Sequence, residues 1–203
     1  MAVTINASTS NGLVQTADTS GSIQLQSNGT TVATAQSTGF QISTYTPATS
    51  LITSGTAQAT TSGTSIQFTG IPSWVKRITV MFNNVSTSGT SLVQLQLGSG
   101  SYTTSGYNGS TGNFTSGTPA ATTFSTGFAT SSGGSAADAR NGAFTLTTLG
   151  GNIWVCTGQF SVGAYFTFGT GQVALSGTLD RLQITTVNGT DTFDLGSINI
   201  LYE

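Results

Sequence analysis

Asp191 and Asp194 are the only two carboxylates that lie close together in the sequence, and paired carboxylates can do chemistry. Two acids can hydrolyse a glycosidic bond. With backbone carbonyls they can also ligate Ca²⁺, which takes about six to eight oxygens. The pair lies in a turn-like run that starts at Asn188, and Asp side chains in turns accept hydrogen bonds from nearby backbone N–H groups. We therefore interpret both as turn-capping residues, with a metal site or a catalytic pair as the alternatives.

The other common catalytic arrangements are missing from the sequence. It has no histidine, which removes Ser-His and Cys-His nucleophiles and the commonest zinc ligand. No glycine-rich run ends in Gly-Lys-Ser or Gly-Lys-Thr, so a phosphate-binding P-loop is excluded. The single cysteine, Cys156, lies in an apolar run and is expected to be a buried small hydrophobe. We predict a protein that is not an enzyme and has no cofactor.

Aromatic residues in the polar middle of the chain are the second candidate site. Their rings stand among Asn, Ser and Thr, and this mixture suits a sugar, which has apolar faces and hydroxyl edges. The run Tyr107-Asn108-Gly109 is expected to be an exposed turn, because Asn-Gly favours one. The predicted receptor-binding residues are Tyr102, Tyr107, Asn108 and Phe114. The alternative is that these rings close the ends of a sandwich or lie between subunits.

The composition points away from nucleic acid and from membranes. Only 5% of the residues are charged, the net charge is -2, and four basic side chains are too few to follow a phosphate backbone. No apolar run approaches the roughly 20 residues of a membrane-spanning helix, and the N-terminus lacks the pattern of a signal peptide. A surface covered by neutral polar groups suits a protein held in an assembly better than a free monomer.

The stretch Ile71 to Phe82 predicts a central strand. Ile78, Val80 and Phe82 share one parity with Trp74, so all four would face the core and Trp74 would anchor it. Lys76 has the same parity, and we expect it near the open end of the strand, where its stem reaches solvent.

Further strands are predicted by alternation and by Gly/Asn turns. Val93, Leu95 and Leu97 alternate with glutamines, as in a half-buried strand. Residues 98–142 are the least regular part, and two or more short strands are expected there. Leu182 and Ile184 would face inward and Arg181 outward, so Asp180 and Arg181 would not pair with each other. Strands at intervals of about 10 residues predict an all-β fold, an antiparallel, jelly-roll-like β-sandwich.

The chain is expected to have two parts, with a boundary beside Pro47. Residues 1–46 are polar with short β bursts, including a hairpin at Asn28-Gly29, and bury too little apolar surface to fold alone. We predict an extended, β-rich N-terminal segment that oligomerises or docks. Residues 47–203 would form the sandwich.

Three segments resemble proteins of tailed-phage virions. Residues 12–34 (GLVQTADTSGSIQLQSNGTTVAT) are similar to a segment of phage virion proteins. Residues 68–82 (FTGIPSWVKRITVMF) resemble a module of tail-fibre-like proteins, which matches again at residues 179–194 and 198–203. The resemblance implies a virion structural protein, a homotrimeric fibre or adhesin on the tail or the head. It carries over no catalytic residues.

From this resemblance we expect a structural protein of the virion surface, made in the host cytoplasm. Residues 1–46 would dock it to other virion proteins, and the sandwich would attach to a host-surface glycan. Two alternatives stay open at this stage. One is a capsid decoration or cement protein with the same fold, and the other is a polysaccharide depolymerase using carboxylates such as Asp191 and Asp194.

Overall fold

The structure, a computed structural model, describes residues 21–37, 39–41, 52–114, 117 and 119–203. The regular structure in these ranges is β-strand, and the strands pair antiparallel, which confirms the all-β prediction. No helix in the described ranges could cross a membrane. Backbone contacts divide the chain into two compact units, Met1–Thr49 and Ser50–Glu203. The predicted boundary beside Pro47 lies outside the described residues.

The described part of the first unit is a three-stranded antiparallel sheet, here the N-terminal sheet, formed by β1 (Ile23–Ser27), β2 (Thr30–Gln36) and β3 (Gly39–Gln41). Asn28 and Gly29 connect β1 to β2 with φ angles of 51° and 75°. Both values are those of a type I′ turn, the hairpin connection favoured by Asn-Gly. The predicted hairpin is therefore confirmed.

The N-terminal sheet has almost no core of its own within the described residues. Ala33 is its one buried hydrophobic residue there, while Leu25 and Val32 are 50% and 38% exposed. The predicted segment 1–46 also includes residues 1–20 and 42–46, which lie outside the described ranges. The described strands bury too little apolar surface to offset the entropy of ordering them.

The second unit contains two antiparallel sheets. Its strands are, in chain order, β4 (Thr53–Ser54), β5 (Gln58–Ala59), β6 (Ser65–Thr69), β7 (Arg77–Thr87), β8 (Val93–Ser99), β9 (Ser101–Tyr102), β10 (Asn108–Phe114), β11 (Ala120–Phe124), β12 (Phe128–Ala129), β13 (Arg140–Gly150), β14 (Ile153–Val162), β15 (Tyr165–Ala174), β16 (Arg181–Thr186) and β17 (Phe193–Tyr202). The large sheet has the order β11-β10-β15-β14-β13-β7-β17-β4, with β5 also on β17. The small sheet has the order β12-β8-β16-β6, with β9 on β8.

One hydrophobic core joins the two sheets in a sandwich-like arrangement. Ile78 and Val80 of the large sheet and Leu95 and Leu182 of the small sheet are fully buried members of the same cluster. Burying a side chain of this size contributes about 1.5–3 kcal/mol. A core of this extent can therefore stabilise the second unit by itself.

Three phenylalanines pack edge to face on the inner side of the large sheet. Phe82, Phe144 and Phe160 lie on the neighbouring strands β7, β13 and β14, with ring centroids 4.8–5.9 Å apart. Such pairs add about 0.5–1.5 kcal/mol beyond the area that they bury. This aromatic packing thus stabilises the large sheet around β7, the strand that the sequence predicted to be central.

Strand β7 is central, but it begins later than predicted. It lies between β13 and β17, and Ile78, Val80 and Phe82 face the core as expected. Before it, the amide of Val75 donates to the carbonyl of Pro72 at 3.1 Å, so the chain turns there. The parity counted from Trp74 is lost in this turn. Trp74 is 40% exposed and packs against the ring of Tyr202, and its prediction as a core anchor is wrong.

The same turn changes the placement of Lys76. It precedes the strand and is exposed, rather than sharing the face of the core residues. Val75, which has the opposite parity to Ile78, Val80 and Phe82, is buried. The strand also runs past Phe82 to Thr87, through a bulge at Asn84 whose φ is 55°. Bulges of this kind let a strand continue while its twist changes.

Strand β8 is buried on both faces, not on one. Val93, Leu95 and Leu97 face the core as predicted, yet Gln94 and Gln96 are only 2% and 5% exposed. Gln96 donates to the carbonyl of Thr126 at 2.7 Å, and Thr126 donates to the Gln94 side chain at 2.9 Å. The segment around Thr126 therefore covers the outer side of β8. Residues 98–142 contribute β9 to β12 and the start of β13, which confirms the prediction of short strands there.

Candidate functional site

The predicted receptor-binding residues do not form one site. Tyr107 is 4% exposed, and its hydroxyl accepts a hydrogen bond from the amide of Leu97 at 2.7 Å. Asn108 is exposed, but it begins β10 and is not in a turn. The expected exposed turn is wrong, because a ladder with β15 occupies the backbone of this segment. Tyr107 is a core residue and cannot meet a ligand at the surface.

Tyr102 and Phe114 lie in different sheets. Tyr102 belongs to β9 of the small sheet, where the Arg181 guanidinium lies 6.0 Å from its ring centroid. Phe114 is at the far end of β10 from Asn108, about 20 Å along a strand of seven residues. It is 44% exposed and faces away from the core. Of the four predicted residues, Phe114 is the one whose exposed ring has further exposed rings beside it.

Three exposed phenylalanines form what we call the aromatic ledge: Phe114, Phe166 and Phe168. Phe114 of β10 is the register partner of Phe166 of β15, and its ring stacks on that of Phe168 with centroids 5.1 Å apart. The three side chains are 44%, 49% and 46% exposed. A cluster of exposed large apolar side chains on a soluble domain commonly marks a binding surface.

Strand alternation forces these rings outward. Thr167 lies between Phe166 and Phe168, is fully buried, and donates to the carbonyl of Thr130 at 2.6 Å. Since successive side chains of a strand point to opposite faces, its two neighbours must lie on the outer face. Phe166 and Phe168 have the same parity and so share one face, but parity alone does not show which face is outer. The burial of Thr167 shows that Phe166 and Phe168 lie on the outer face.

A row of hydroxyl groups crosses the same outer face. It contains one residue from each of six adjacent strands, and each residue is the register partner of the next. Adjacent strands lie about 4.8 Å apart. None of these hydroxyls has a hydrogen-bond partner among the described residues. The row comprises Thr79, Thr145, Thr157, Thr170, Ser110 and Thr123. We call it the hydroxyl row.

A shallow groove lies over β13 and β14, beside the aromatic ledge. Its volume is about 430 Å³, and it is lined by Gly142, Ala143, Thr145, Thr157 and Gln159. Gln159 is the register partner of Phe168, so an amide stands directly beside the ledge. Gly142 has no side-chain carbon and Ala143 has only a methyl group, so neither residue fills the groove. Rings, hydroxyls and an amide thus share one face, whose charged side chains Arg77 and Glu203 pair with each other at the β7 side. Such a face can make the apolar and hydrogen-bonded contacts that a neutral or weakly charged polymer requires.

The acidic residues of the described chain have structural roles or stand apart. The Asp191 carboxylate accepts hydrogen bonds from the Ser91 amide at 2.9 Å and the Asn188 side chain at 2.7 Å, and these bonds hold its pKa below the ordinary value. Asp191 therefore has a structural role, but the amide from which it accepts belongs to Ser91 and not to its own turn, which Asn188 caps through Oδ1. Asp194 is exposed on β17. No group of three potential metal ligands occurs in the described ranges.

Asp180 and Arg181 pair with each other, contrary to the prediction. The Arg181 Nε donates to Asp180 Oδ1 at 2.8 Å, and Nη2 donates to Oδ2 at 3.2 Å. The pair lowers the pKa of Asp180. Asp180 precedes the first residue of β16, so strand alternation does not apply to it. A side chain just outside the strand can turn toward its neighbour.

Two titratable side chains are buried, and the sequence predicted the burial of only one of them. Arg140 is fully buried, and although its Nη1 donates to the Asp138 carbonyl at 3.1 Å, its Nε and Nη2 have no partner in the described structure. Burial lowers the pKa of Arg140. Cys156 is buried as predicted, and burial raises the pKa of its thiol well above the ordinary value. Neither group is accessible to a substrate.

Comparisons of this chain with protein-family models, with curated proteins and with solved structures found no match. The resemblance to phage virion proteins therefore stays a prediction.

Proposed function

We propose that this chain is a non-enzymatic structural protein of a phage virion, a homotrimeric tail or head fibre. Residues 1–46 dock it to the particle, and the sandwich of the second unit attaches to a glycan of the host surface. The family part of this proposal rests on the resemblance of residues 12–34, 68–82 and 179–203 to virion and tail-fibre-like proteins. The remaining parts rest on the contrast between the two units.

The observation that carries the proposal is that the second unit has an extensive hydrophobic core, whereas the described part of the first unit has almost none. The sandwich buries a continuous cluster from both sheets. Among the side chains of the N-terminal sheet that the structure describes, Ala33 is the one buried hydrophobic residue, and Leu25 is half exposed. A small sheet that cannot bury its own apolar side chains becomes ordered by packing on copies of itself or on a partner. This favours a protein whose N-terminal segment works in an assembly.

The outer face of the large sheet supports the attachment role. The aromatic ledge offers apolar ring faces, and the hydroxyl row and Gln159 offer donors and acceptors without charge. A sugar chain presents the matching surfaces, apolar ring faces and hydroxyl edges. A face of this length can meet several sugar units along a polymer, which provides multivalent attachment.

The oligomeric state and the location test the structural part. Size-exclusion chromatography with light scattering should give three times the chain mass, and immunogold labelling should place the protein on the tail or head of particles. A stable monomer, or particles without label, would contradict the proposal. Label on the whole capsid surface would favour decoration of the head over a fibre.

Variants of the aromatic ledge test glycan attachment. The purified protein is measured against a panel of bacterial surface polysaccharides, together with the double variant Phe166→Ser/Phe168→Ser. The matched control is Val155→Ser, which removes an exposed apolar side chain from the same face but outside the ledge. Binding should fall by about tenfold or more in the double variant, since stacking contacts of two rings are lost. Equal binding of both variants would contradict the role of the ledge, and cleavage of the polysaccharide would contradict a non-enzymatic protein.

A further inference from the structure

A pocket opens at one end of the large sheet, away from the aromatic ledge. It lies between the turn that joins β13 to β14, the segment that precedes β7, and the loop that precedes β16. Its volume is about 360 Å³, near the lower end of the range for small-molecule sites. That volume suits one or two sugar units, not a long stretch of polymer. The side chains that matter for its chemistry are Ser73, Lys76, Leu149, Asn152, Trp154 and Thr178.

Lys76 gives this pocket a positive charge, and its ammonium forms no ion pair among the described residues. The other three basic residues of the chain are engaged or enclosed. Arg77 pairs with Glu203, Arg181 pairs with Asp180, and Arg140 is buried. Lys76 has no carboxylate partner among the described residues, and no acidic residue lines the pocket. The positive charge of such a pocket attracts an anionic ligand group, and no acidic side chain in its lining repels that group.

Three uncharged polar side chains complete the polar lining. Ser73, Asn152 and Thr178 line the pocket, and their side chains make no hydrogen bond with the described residues. A hydroxyl both donates and accepts, and the Asn amide provides two donors and an acceptor. These groups can donate hydrogen bonds to the hydroxyls of a sugar and accept hydrogen bonds from them. Together with one ammonium they match a sugar that also carries a carboxylate.

The loop that carries Asn152 is held in place before any ligand binds. Asn152 has a φ of 64°, and its carbonyl accepts a hydrogen bond from the Leu175 amide at 3.0 Å. The Thr148 hydroxyl accepts from the Gly150 amide at 3.2 Å and donates to the Ile153 carbonyl at 3.3 Å. A pocket wall that is already ordered loses less conformational entropy on binding.

The pocket also has an apolar wall. Leu149 is 75% exposed at its rim, and the buried Trp154 lies behind it. An exposed leucine beside polar groups offers a surface for the apolar face of a sugar ring. A small inorganic anion would leave this wall unused.

We propose that this pocket binds an acidic sugar residue, a uronate or a sialate, with its carboxylate directed to the Lys76 ammonium. The inference deepens the proposed glycan attachment, on which it rests, by naming an anionic sugar as a ligand class. It concerns a surface separate from the aromatic ledge. The ring hydroxyls face Ser73, Asn152 and Thr178, and the apolar ring face lies against Leu149.

The test is a titration of the full-length, ¹⁵N-labelled protein followed by NMR. Glucuronate and N-acetylneuraminate are the probes, with glucose and acetate as the neutral-sugar and simple-anion controls. Both acidic sugars, or one of them, should shift the amides of Gly150, Gly151 and Asn152 in a saturable manner, and the controls should shift them at least about tenfold less. Comparing the shifts with glucuronate and with N-acetylneuraminate shows whether the pocket binds a uronate, a sialate or both.

Variants at Lys76 decide the role of the ammonium. Lys76→Gln should weaken binding by about tenfold or more, and Lys76→Arg should keep most of it, because a cation is retained. Lys76 is exposed, so neither variant should affect folding, which the spectra report directly. Equal shifts with acetate or glucose, unchanged binding in Lys76→Gln, or no saturable shift would each overturn the inference.

The same variants separate this inference from the proposed function. If the aromatic ledge variant loses polysaccharide binding while Lys76→Gln keeps it, glycan attachment stands and the acidic-sugar pocket does not. If acidic sugars bind at Lys76 but no polysaccharide of the panel binds, the pocket stands and the ledge proposal fails.

Discussion

The hydroxyl of Tyr107 accepts a hydrogen bond from the backbone amide of Leu97 at 2.7 Å inside the core. Leu97 belongs to β8 of the small sheet, and Tyr107 immediately precedes β10 of the large sheet, so the bond ties the two sheets together. The Tyr107 ring also packs edge to face on Phe128, with centroids 4.9 Å apart. A residue that the sequence assigned to the receptor site is thus part of the framework.

Replacing Tyr107 with phenylalanine should destabilise the sandwich. The ring packing is kept, but the buried Leu97 amide loses its acceptor, which costs about 1–3 kcal/mol. Urea unfolding followed by intrinsic fluorescence measures the change. Tyr202→Phe is the control, because the Tyr202 hydroxyl has no hydrogen bond in the described structure and its loss should cost little. Equal stability of the two variants would show that the bond does not contribute.

Gly142 should not accept a side chain, whereas Gly112 should. A Cβ on Gly142 would collide with the Gln159 carbonyl oxygen and lie 2.8 Å from the Phe160 Cα, at a φ of 149°. Gly142→Ala should therefore cost about 1–3 kcal/mol or more. On Gly112 the nearest atom would be 3.5 Å away, and its φ is not positive, so Gly112→Ala should lie within about 1 kcal/mol of the wild type. Thermal unfolding of the two variants should differ clearly, and similar melting temperatures would contradict the packing described at Gly142.

The fully buried Arg140 should be replaceable by methionine without loss of stability. Its Nε and Nη2 have no partner among the described residues. The guanidinium has therefore lost its hydration and gains few hydrogen bonds in exchange. Replacing buried ionic groups by hydrophobic residues of similar volume is often neutral or stabilising by about 1–4 kcal/mol, provided that no ion-pair partner is left behind. Arg140 forms no ion pair among the described residues, and the nearby Asp138 carboxylate keeps its hydrogen bonds from the Ser135 amide and the Tyr165 hydroxyl. Chemical unfolding of Arg140→Met measures this. A strong destabilisation would indicate that the guanidinium holds a partner essential to this end of the sandwich.

Stability should fall in alkaline solution, partly because of Cys156. Burial raises the pKa of its thiol well above the ordinary value of 9.0 in the folded protein. Below pH 9 both states hold the proton, so the full stability is present. Above it the unfolded thiol ionises while the folded one does not, which favours unfolding by about 1.4 kcal/mol per pH unit. The loss continues until the pH passes the folded pKa.

The control for this pH dependence is Cys156→Val, which fills the site without a titrating group. Free energies of unfolding at pH 8 and pH 10, in reducing buffer, should fall less in the variant than in the wild type. Tyr107, whose pKa is also raised by burial, contributes above about pH 10 in both proteins. An identical fall in wild type and variant would contradict the assignment to Cys156.

Much of the fold could be predicted because its signals are local. The alternation of Ile78, Val80 and Phe82 defines an inner face wherever the strand ends up, and Asn28-Gly29 specifies its hairpin turn by backbone preference alone. Cys156 in its apolar run was expected to be buried, and it is. None of these conclusions needs to know which strand is the neighbour.

The errors share a physical cause, which is that parity holds only inside a strand. The parity of Trp74 would hold only if β7 included it, but β7 begins at Arg77 and the turn at Pro72 resets the alternation. Asp180 lies just before β16, where strand alternation does not apply, so it can pair with Arg181. Gln94 and Gln96 alternate correctly, yet both are buried, because a distant segment at Thr126 covers them.

The amino-acid sequence by itself determined the fold class, the inner faces of the main strands, the tight turns and the lack of histidine chemistry, because each follows from neighbouring residues. Tertiary structure decided what the surface presents. Register between β10 and β15 brings Phe114 beside Phe166 and Phe168, and packing at one end of the sheet opens the pocket beside Lys76. These residues come from distant parts of the chain. Their proximity depends on strand order and register, which long-range pairing sets and local sequence does not encode.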